Sequence, residues 1–421
     1  MSDARIILLA RNHQDDVMST NPDSTYFMFP SRTSTNFGED WMSLDINYRN
    51  VSNFFQAGQS YYVDINANAD LLEELMLNIT IDNQVGTFST ANFGFNNTDV
   101  RNAFNLIDEV EFLINDKVII RYPIEYILSI IELKDSYGVK VTQSASNNTN
   151  AISDLARFEI VSPTRIQAFL PLKFWFCDCP QNALPLWAAQ NSRFGIRFKL
   201  IRSLNNALNN ILIASYNPTD YHVDIRLMAR YGFLDIDEKR KFQTQSLEYI
   251  FEQVDFIREN LSTGFSSKKL DIPRANYVKE LLWIYQGRID STVSDYYNSA
   301  LLSLSTSAQL LFNGVPITTI NDPKYYRLVQ RYQSHNSGFA FQVSTGATDE
   351  KSNIYCYSFS LCPDTSSSSG FLSTEKYNNI VAEISQNTPS ELLPYGSRLT
   401  LLQRKMNILR VKDGKADTLF N

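Results

Sequence analysis

The chain has 421 residues, a formal net charge of −7, 43% hydrophobic residues and 13% aromatic residues. An acidic balance argues against nucleic-acid binding as the main business, leaving room only for a local basic patch, and no apolar run approaches the roughly 18 residues that cross a bilayer. The length suggests two or three domains of ordinary size, and 27 Phe and 22 Tyr favour strands with long polar loops over helix bundles.

Residues 1–24 are polar and end in the break Asn21-Pro22-Asp23, which reads as an N-terminal arm. Its apolar run, residues 6–10, is too short for a signal-peptide core. The four cysteines, Cys177, Cys179, Cys356 and Cys362, are therefore expected as free thiols in a reducing compartment. Alternation predicts strands over 42–50, 61–65 and 74–81. Residues 82–105, rich in Asn, Thr, Gly and Phe, read as a long loop. Val110-Glu111-Phe112-Leu113-Ile114 and Val118-Ile119-Ile120 flank Asn115-Asp116, the pattern of a hairpin around a tight turn. Residues 125–133 are apolar at helical spacing and predict a short helix, and the polar stretch 135–153 predicts a mobile loop.

Residues 170–189 are too hydrophobic for a surface loop, and their three prolines forbid a continuous helix. They predict two short buried extended segments joined at a sheet end, with Phe174-Trp175-Phe176-Cys177 closing the first. Residues 194–201 alternate as a half-buried strand, and another strand falls within 220–234. The charge run Asp235-Ile236-Asp237-Glu238-Lys239-Arg240-Lys241 reads as a solvated linker or short helix.

The second half repeats the first in outline. Asp64-Ile65 is echoed by Asp271-Ile272, and Glu74-Leu75-Met76-Leu77 by Glu280-Leu281-Leu282-Trp283. The hairpin at Asn115-Asp116 is echoed at Asn313-Gly314, and Phe174 to Cys177 by Phe359-Ser360-Leu361-Cys362. The offsets drift slowly: 271−64 = 207, 280−74 = 206, 313−115 = 198 and 362−177 = 185. Loop-length differences produce such a drift. The simplest account is one all-β domain of roughly 200 residues, duplicated, and many strands with long loops suit a jelly roll. The boundaries expected are an arm at 1–24, a first roll at 25–234, a charged linker at 235–245 and a second roll at 246–421.

These same stretches carry a resemblance. Thr25-Tyr26-Phe27 with Arg32-Thr33-Ser34-Thr35-Asn36-Phe37, the Ile107-Asp108-Glu109-Val110-Glu111-Phe112 strand, and residues 170–200 are similar to segments of the major capsid proteins of nucleocytoplasmic large DNA viruses. So are residues 234–254, Val278-Lys279-Glu280-Leu281-Leu282-Trp283 (with Tyr277 where Pro is usual), residues 325–332 and residues 354–361. The chain departs from that family at Cys362-Pro363-Asp364-Thr365 and the serine run after it. The resemblance implies an all-β fold of two tandem eight-stranded jelly rolls with short helices in loops. It also implies a homotrimeric, pseudo-hexagonal capsomer that tiles an icosahedral shell. The partners implied are neighbouring capsomers, penton and minor capsid proteins and, through the latter, an inner viral membrane. The place implied is the virion, assembled in the host cytoplasm.

Chemistry is sparsely supplied. His13, His222 and His335 are the three histidines, and no two are close in sequence, so neither a His-cluster metal site nor a Ser/His/Asp triad is expected. Cys177-Asp178-Cys179 with Cys356 and Cys362 has poor spacing for zinc. No Gly-x-Gly phosphate loop occurs. No catalytic residue, metal or cofactor is therefore expected. Glycosylation sequons stand at Asn50, Asn78, Asn96, Asn147 and Asn260; Asn96 and Asn147 lie in expected loops, and Asn78 in an expected strand is the poorest acceptor. Three function classes compete: a capsid building block, a jelly-roll carbohydrate-binding or host-attachment protein, and a jelly-roll metalloenzyme. Loops 82–105 and 287–308 follow equivalent strands in the two halves and are expected on the outer face of a shell, with the arm at the inner base.

Overall fold

Alternating apolar and polar side chains build most of the molecule. The first half contains β1 (Phe37–Leu44), β2 (Ser60–Asp64), β3 (Leu71–Asn83), β4 (Ile107–Ile114), β5 (Lys117–Pro123), helix α1 (Ile124–Lys134), β6 (Glu159–Ser162), β7 (Arg165–Pro171), β8 (Phe194–Leu200) and β9 (Tyr221–Leu234). Helix α2 (Ile236–Thr244) leads to β10 (Leu247–Leu261), β11 (Gly264–Asp271), β12 (Val278–Arg288), β13 (Ser305–Phe312) and β14 (Val315–Pro316). A π-turn, Tyr325–Val329, runs into α3 (Gln330–Ser334), followed by β15 (Ile354–Ser358), β16 (Ile380–Thr388), β17 (Ser397–Lys412) and β18 (Lys415–Thr418).

The structure, a computed structural model, describes residues 36–44, 46, 58–65, 69–87, 106–134, 141–142, 148–149, 159–201, 221–288, 294–295, 305–335, 342–344, 347–349, 354–365, 367–388 and 396–420. The chain divides into the units Met1–Phe37 and Gly38–Asn421, and of the first only Asn36 and Phe37 are described. The arm at 1–24, the acceptors Asn50, Asn96 and Asn147, His13, and the greater part of loops 82–105, 135–153 and 287–308 lie outside the described residues.

Each half of the large unit is a pair of antiparallel sheets. In the first half the orders are β1-β9-β3-β7-β6 and β2-β8-β4-β5; in the second they are β10-β17-β12, with β15 beside β12, and β11-β16-β13-β14. Apart from the hairpins β4–β5, β6–β7, β13–β14 and β17–β18, consecutive strands sit in opposite sheets, which is the jelly-roll order, and the molecule is a double jelly roll.

The duplication holds at single residues. In β3 the register against β9 slips at Glu73, so that Glu74 faces Arg230; in β12 the register against β17 slips at Lys279, so that Glu280 faces Arg404. Ile65 N–H donates to Phe194 O at 3.0 Å, and Ile272 N–H to Ile380 O at 2.9 Å. Both hairpins turn through positive φ, at Asn115 and Asp116 and again at Asn313 and Gly314. In each, the Asn side chain accepts a backbone N–H, from Arg193 at 2.8 Å and from Asn379 at 3.1 Å.

Three expectations need correction. The first strand starts at Phe37, earlier than the expected 42, because its partner β9 offers a ladder to Phe37–Leu44; of 45–50 only Ile46 is described, and the rest of that expectation lies outside the described residues. Both long loops start later than expected, since β3 runs on to Asn83 and β12 to Arg288. Residues 170–189 are not two extended segments. After β7 the chain forms 3-10 turns at Trp175–Cys177, Pro180–Asn182 and Trp187–Ala189, and pairs with β3 as a strand through Leu184 and Pro185. The reason is geometric. A strand would send Trp175 to the opposite face from Phe174 and Phe176. The turn buries all three around Phe112, at centroid distances of 5.8, 5.4 and 5.7 Å. The short helix expected at 125–133 is present as α1, and the charge run forms α2, capped by the Asp235 carboxylate accepting from Ile236 N–H.

The core of the first roll does not stop at the roll. It is continuous with Phe251, Val254, Leu282, Ile284, Ile354, Cys356, Leu402 and Leu409 of the second half. A smaller core around Trp283, Tyr285, Tyr326 and Tyr355 fills the second roll.

Candidate functional site

Where the rolls meet, the sequence places charges inside apolar strands. Val278-Lys279-Glu280-Leu281-Leu282-Trp283 carries two, and both are buried. The register of β12 on β17 brings Arg404 across from Glu280, with Nη1 donating to Oε1 at 2.8 Å. The other side of the guanidinium meets Glu252 of β10, where Nη2 donates at 2.8 and 2.9 Å. Lys279 Nζ donates to Glu252 Oε1 and to Thr365 O, each at 2.8 Å. His335, just after α3, lies 3.3 Å through Nε2 from Glu280 Oε2, an ion-pair contact without hydrogen-bond geometry, and 2.8 Å through Nδ1 from Asp364 Oδ1. Arg404 Nη2 also donates to Pro363 O at 3.2 Å.

The first roll closes this cluster with two tyrosines. Tyr122 of β5 donates its hydroxyl to Glu252 O at 2.7 Å, and Tyr126 of α1 donates to Glu252 Oε2 at 2.8 Å. Lys173, Trp175 and Asp178 line a cleft beside them with Ile250, Phe251 and Met406. Trp175 packs against Phe251 with ring centroids 5.3 Å apart and planes tilted by 42°, so the aromatic turn of the first roll reaches the first strand of the second.

Glu280, Arg404 and His335 are buried, and their burial together with their charged partners sets the protonation states. Burial works against ionising Glu280, yet Arg404 and His335 outweigh it and hold the carboxyl down at about 2. Burial also works against a charged His335, but Glu280 and the bond to Asp364 raise it to about 12. Arg404 stays charged for the same reason: Glu252 and Glu280 more than offset its desolvation. Burial pushes the Tyr126 phenol up, so it is a donor and not an anion. An arrangement in which every charge is matched and held has no group poised to exchange a proton near neutrality. It is a clamp.

Two further contacts fasten the rolls. Arg258 of β10 donates to Asp108 Oδ1 at 2.8 Å and to Glu125 Oε2 at 2.7 Å, which explains a buried glutamate in the first turn of α1. The β17–β18 hairpin reaches back to the first roll: Asn191 N–H donates to Gly414 O at 2.8 Å, and Ala416 N–H to Ser192 Oγ at 2.9 Å. Gly414 has φ +77°, and a Cβ there would fall 2.6 Å from Asn191 Nδ2.

The sequence singled out none of Glu252, Lys279, Arg404 or Asp364 as a site. Charged residues inside the Val278–Trp283 run were the available signal, because an unpaired charge there could not be buried. Cys362-Pro363-Asp364-Thr365, the segment that departs from the family pattern, supplies three of the contacts to the clamp. His222 lies in β9 opposite Asp82. The four cysteines are free, and among the described residues no group of three or more His, Cys, Asp and Glu side chains is arranged to hold a metal ion. Asn78 accepts from Gln167 Nε2 at 2.8 Å within the sheet, while Asn260 is exposed in β10.

Among known proteins, the family described as major capsid protein N-terminus matches residues 25–235, and the family described as large eukaryotic DNA virus major capsid protein matches residues 238–416. The chain is 27% identical over 432 residues to the major capsid protein of Pyramimonas orientalis virus, covering 98% of each. It is 23% identical over 421 residues to that of Paramecium bursaria Chlorella virus 1, covering 91% of this chain and 87% of that one. The fold is similar to PBCV-1 VP54, whose crystal structure was fitted into a reconstruction of the virophage Sputnik: TM-score 0.71 at 18% identity, over 94% of this chain and 100% of that one. It is also similar to the Faustovirus major capsid protein, with TM-score 0.57 at 10% identity, over 96% of this chain and 94% of that one.

Proposed function

Since the chain belongs to the major capsid protein family of large eukaryotic DNA viruses, we propose that three copies assemble into a pseudo-hexagonal capsomer that tiles an icosahedral shell. Its role is structural and not enzymatic, its place is the virion capsid, and it assembles there with other capsomers. The observation that carries the proposal is the duplicated strand order, with the two rolls clamped to each other. Three chains of two similar rolls give six similar towers, and a six-cornered tile fills a plane.

On this reading the arm is residues 1–24, the rolls are 25–234 and 246–421, and 235–245 joins them. Loops 82–105 and 287–308 crown the outer face, and the arm lies at the inner base. Penton and minor capsid proteins, and through them an inner membrane, are the further partners; assembly takes place in the host cytoplasm. Asn96 and Asn147 are the acceptors open to glycosylation. Sedimentation and electron microscopy of the purified protein test the central claim. Six-lobed trimers are expected, and a stable folded monomer at micromolar concentration would sink it.

A further inference from the structure

The two register slips put opposite charges at the same place. Each slip leaves one residue of the long strand without a partner in the ladder, Glu73 in β3 and Lys279 in β12, and a bulge of this kind re-aims the side chain it carries. In the second roll that residue is a cation. Lys279, Arg404 and His335 meet Glu252, Glu280 and Asp364, three positive groups against three carboxylates. In the first roll it is an acid. Arg230 Nε lies 3.3 Å from Glu73 Oε2 and 3.7 Å from Glu74 Oε2, and Nη1 lies 3.6 Å from Glu39 Oε2. Among the described residues one guanidinium therefore faces three carboxylates.

Glu73 is the member that water does not serve. Its side chain is 6% exposed, and neither its Oε2 nor Arg230 Nε has a hydrogen-bond partner among the described residues. Its other oxygen lies over Gly232, where a Cβ would fall 2.5 Å from Oε1, so the backbone makes room for this carboxyl. The charges that act on it are Glu39 of β1, Arg230 of β9 and Glu74 of its own strand, while Lys239 of α2 is taken by Asp70 at 2.9 Å. Burial first, and then Glu39, raise its affinity for a proton against the pull of Arg230. A buried ionised carboxyl with one oxygen unbonded is costly, and a proton removes that cost.

Strand β1 feels the difference. It is exposed from Phe37 to Ser43, and of its residues Leu44 alone is buried. With so little buried, its hold on the large unit rests on the ladder to β9 and the contact of Glu39 with Arg230. Few buried contacts mark a segment that opens locally before the rest of a fold. It is also where residues 1–37 join the large unit along the chain.

We propose that Glu73 is a proton-operated latch for strand β1. With its carboxyl protonated, Arg230 is left to Glu39 and Glu74 and holds the strand. With it ionised, three carboxylates compete for one guanidinium, Glu39 is repelled and the strand loosens. Glu73 binds its proton more tightly with Glu39 in place than without it, so protonation favours the docked strand, and docking weakens as the pH rises through the Glu73 titration. The second roll has no such device, because its bulge carries Lys279 and its charges are matched.

Hydrogen exchange of the purified full-length protein, read by mass spectrometry between about pH 5 and pH 8 and corrected for the intrinsic rate, tests the latch. Protection of residues 38–44 should fall about three- to tenfold across that range, while residues 248–256 of β10 hold steady. Glu73→Gln should keep residues 38–44 protected at both ends. A wild-type β1 whose protection ignores pH overturns the latch, and so does a Glu73→Gln chain that loosens as the wild type does. An equal fall in β1 and β10 places the effect outside this cluster and overturns it too. Should Glu73→Gln not fold, Glu39→Gln removes the same repulsion from the exposed side, and a wild-type fall in that variant is equally fatal.

Discussion

Arg230 and Arg404 stand at matching register slips of the two rolls, each bridging a glutamate on either side, but the side chain of Arg230 is 28% exposed and that of Arg404 is fully buried. The difference comes from what lies on top. Arg404 is roofed by Tyr126 and by the Pro363 carbonyl, whereas nothing equivalent is placed over Arg230 among the described residues. Equivalent bridges are therefore a buried clamp in one roll and a partly exposed one in the other. Burial sharpens the penalty for breaking such a bridge far more than it raises the worth of keeping it.

The largest expected contrast follows directly. Arg404→Met strands Glu252 and Glu280 in the junction and should cost about 3–5 kcal/mol. Arg230→Met should cost about 1 kcal/mol or less. Urea unfolding of the two variants measures the gap, and equal midpoint shifts would break the comparison.

The next contrast is in pH. The Glu280 carboxyl is held down at about 2, from an ordinary 4.5. Its contribution is present above 4.5 and is lost as the pH falls towards 2. Glu280→Gln should therefore cost about 3 kcal/mol at neutral pH, and less below pH 4.5. His335 runs the other way: its contribution is full below 6.5 and fades as the pH rises towards 12. Glu73 of the first roll is pushed up, by burial and by Glu39, against the pull of Arg230. A raised carboxyl weakens the fold as the pH climbs past 4.5, so Glu73→Gln should be neutral or stabilising at pH 7. Thermal melts across pH check all three signs, and a destabilised Glu73→Gln chain would reverse the assignment for the first roll.

A smaller effect tests the roof itself. Tyr126→Phe removes the hydroxyl that serves Glu252 and should cost about 1–2 kcal/mol in urea unfolding; no change would mean that Arg404 and Lys279 already satisfy that carboxylate.

The smallest contrast compares the hairpins. Asp116 holds φ +64° where the second roll has Gly314 at φ +79° with open space at its Cβ position. Asp116→Gly should be neutral or slightly stabilising, and Gly314→Asp should cost about 1 kcal/mol or less. The reverse order in melting temperature would mean that the Asp116 side chain, not its backbone, sets that turn.

Much of this was legible in the residues. Period-two alternation marked β3, β4 and β8, the Asn-Asp and Asn-Gly turns marked both hairpins, and the echo of Glu74 at Glu280 located the duplication to the residue. These are local signals, set by backbone geometry and by the side on which a side chain falls. The turn at Trp175–Cys177 is not legible locally, because three consecutive aromatics satisfy a strand propensity as well as a turn. Only the position of Phe112 decides which conformation buries all of them. The clamp could not be read at all. Glu252, His335, Asp364 and Arg404 are far apart along the chain, and a charge in an apolar strand announces burial without naming its partner. Which of two equivalent bridges is roofed depends on how one roll sits on the other, and that is decided by packing across the whole chain.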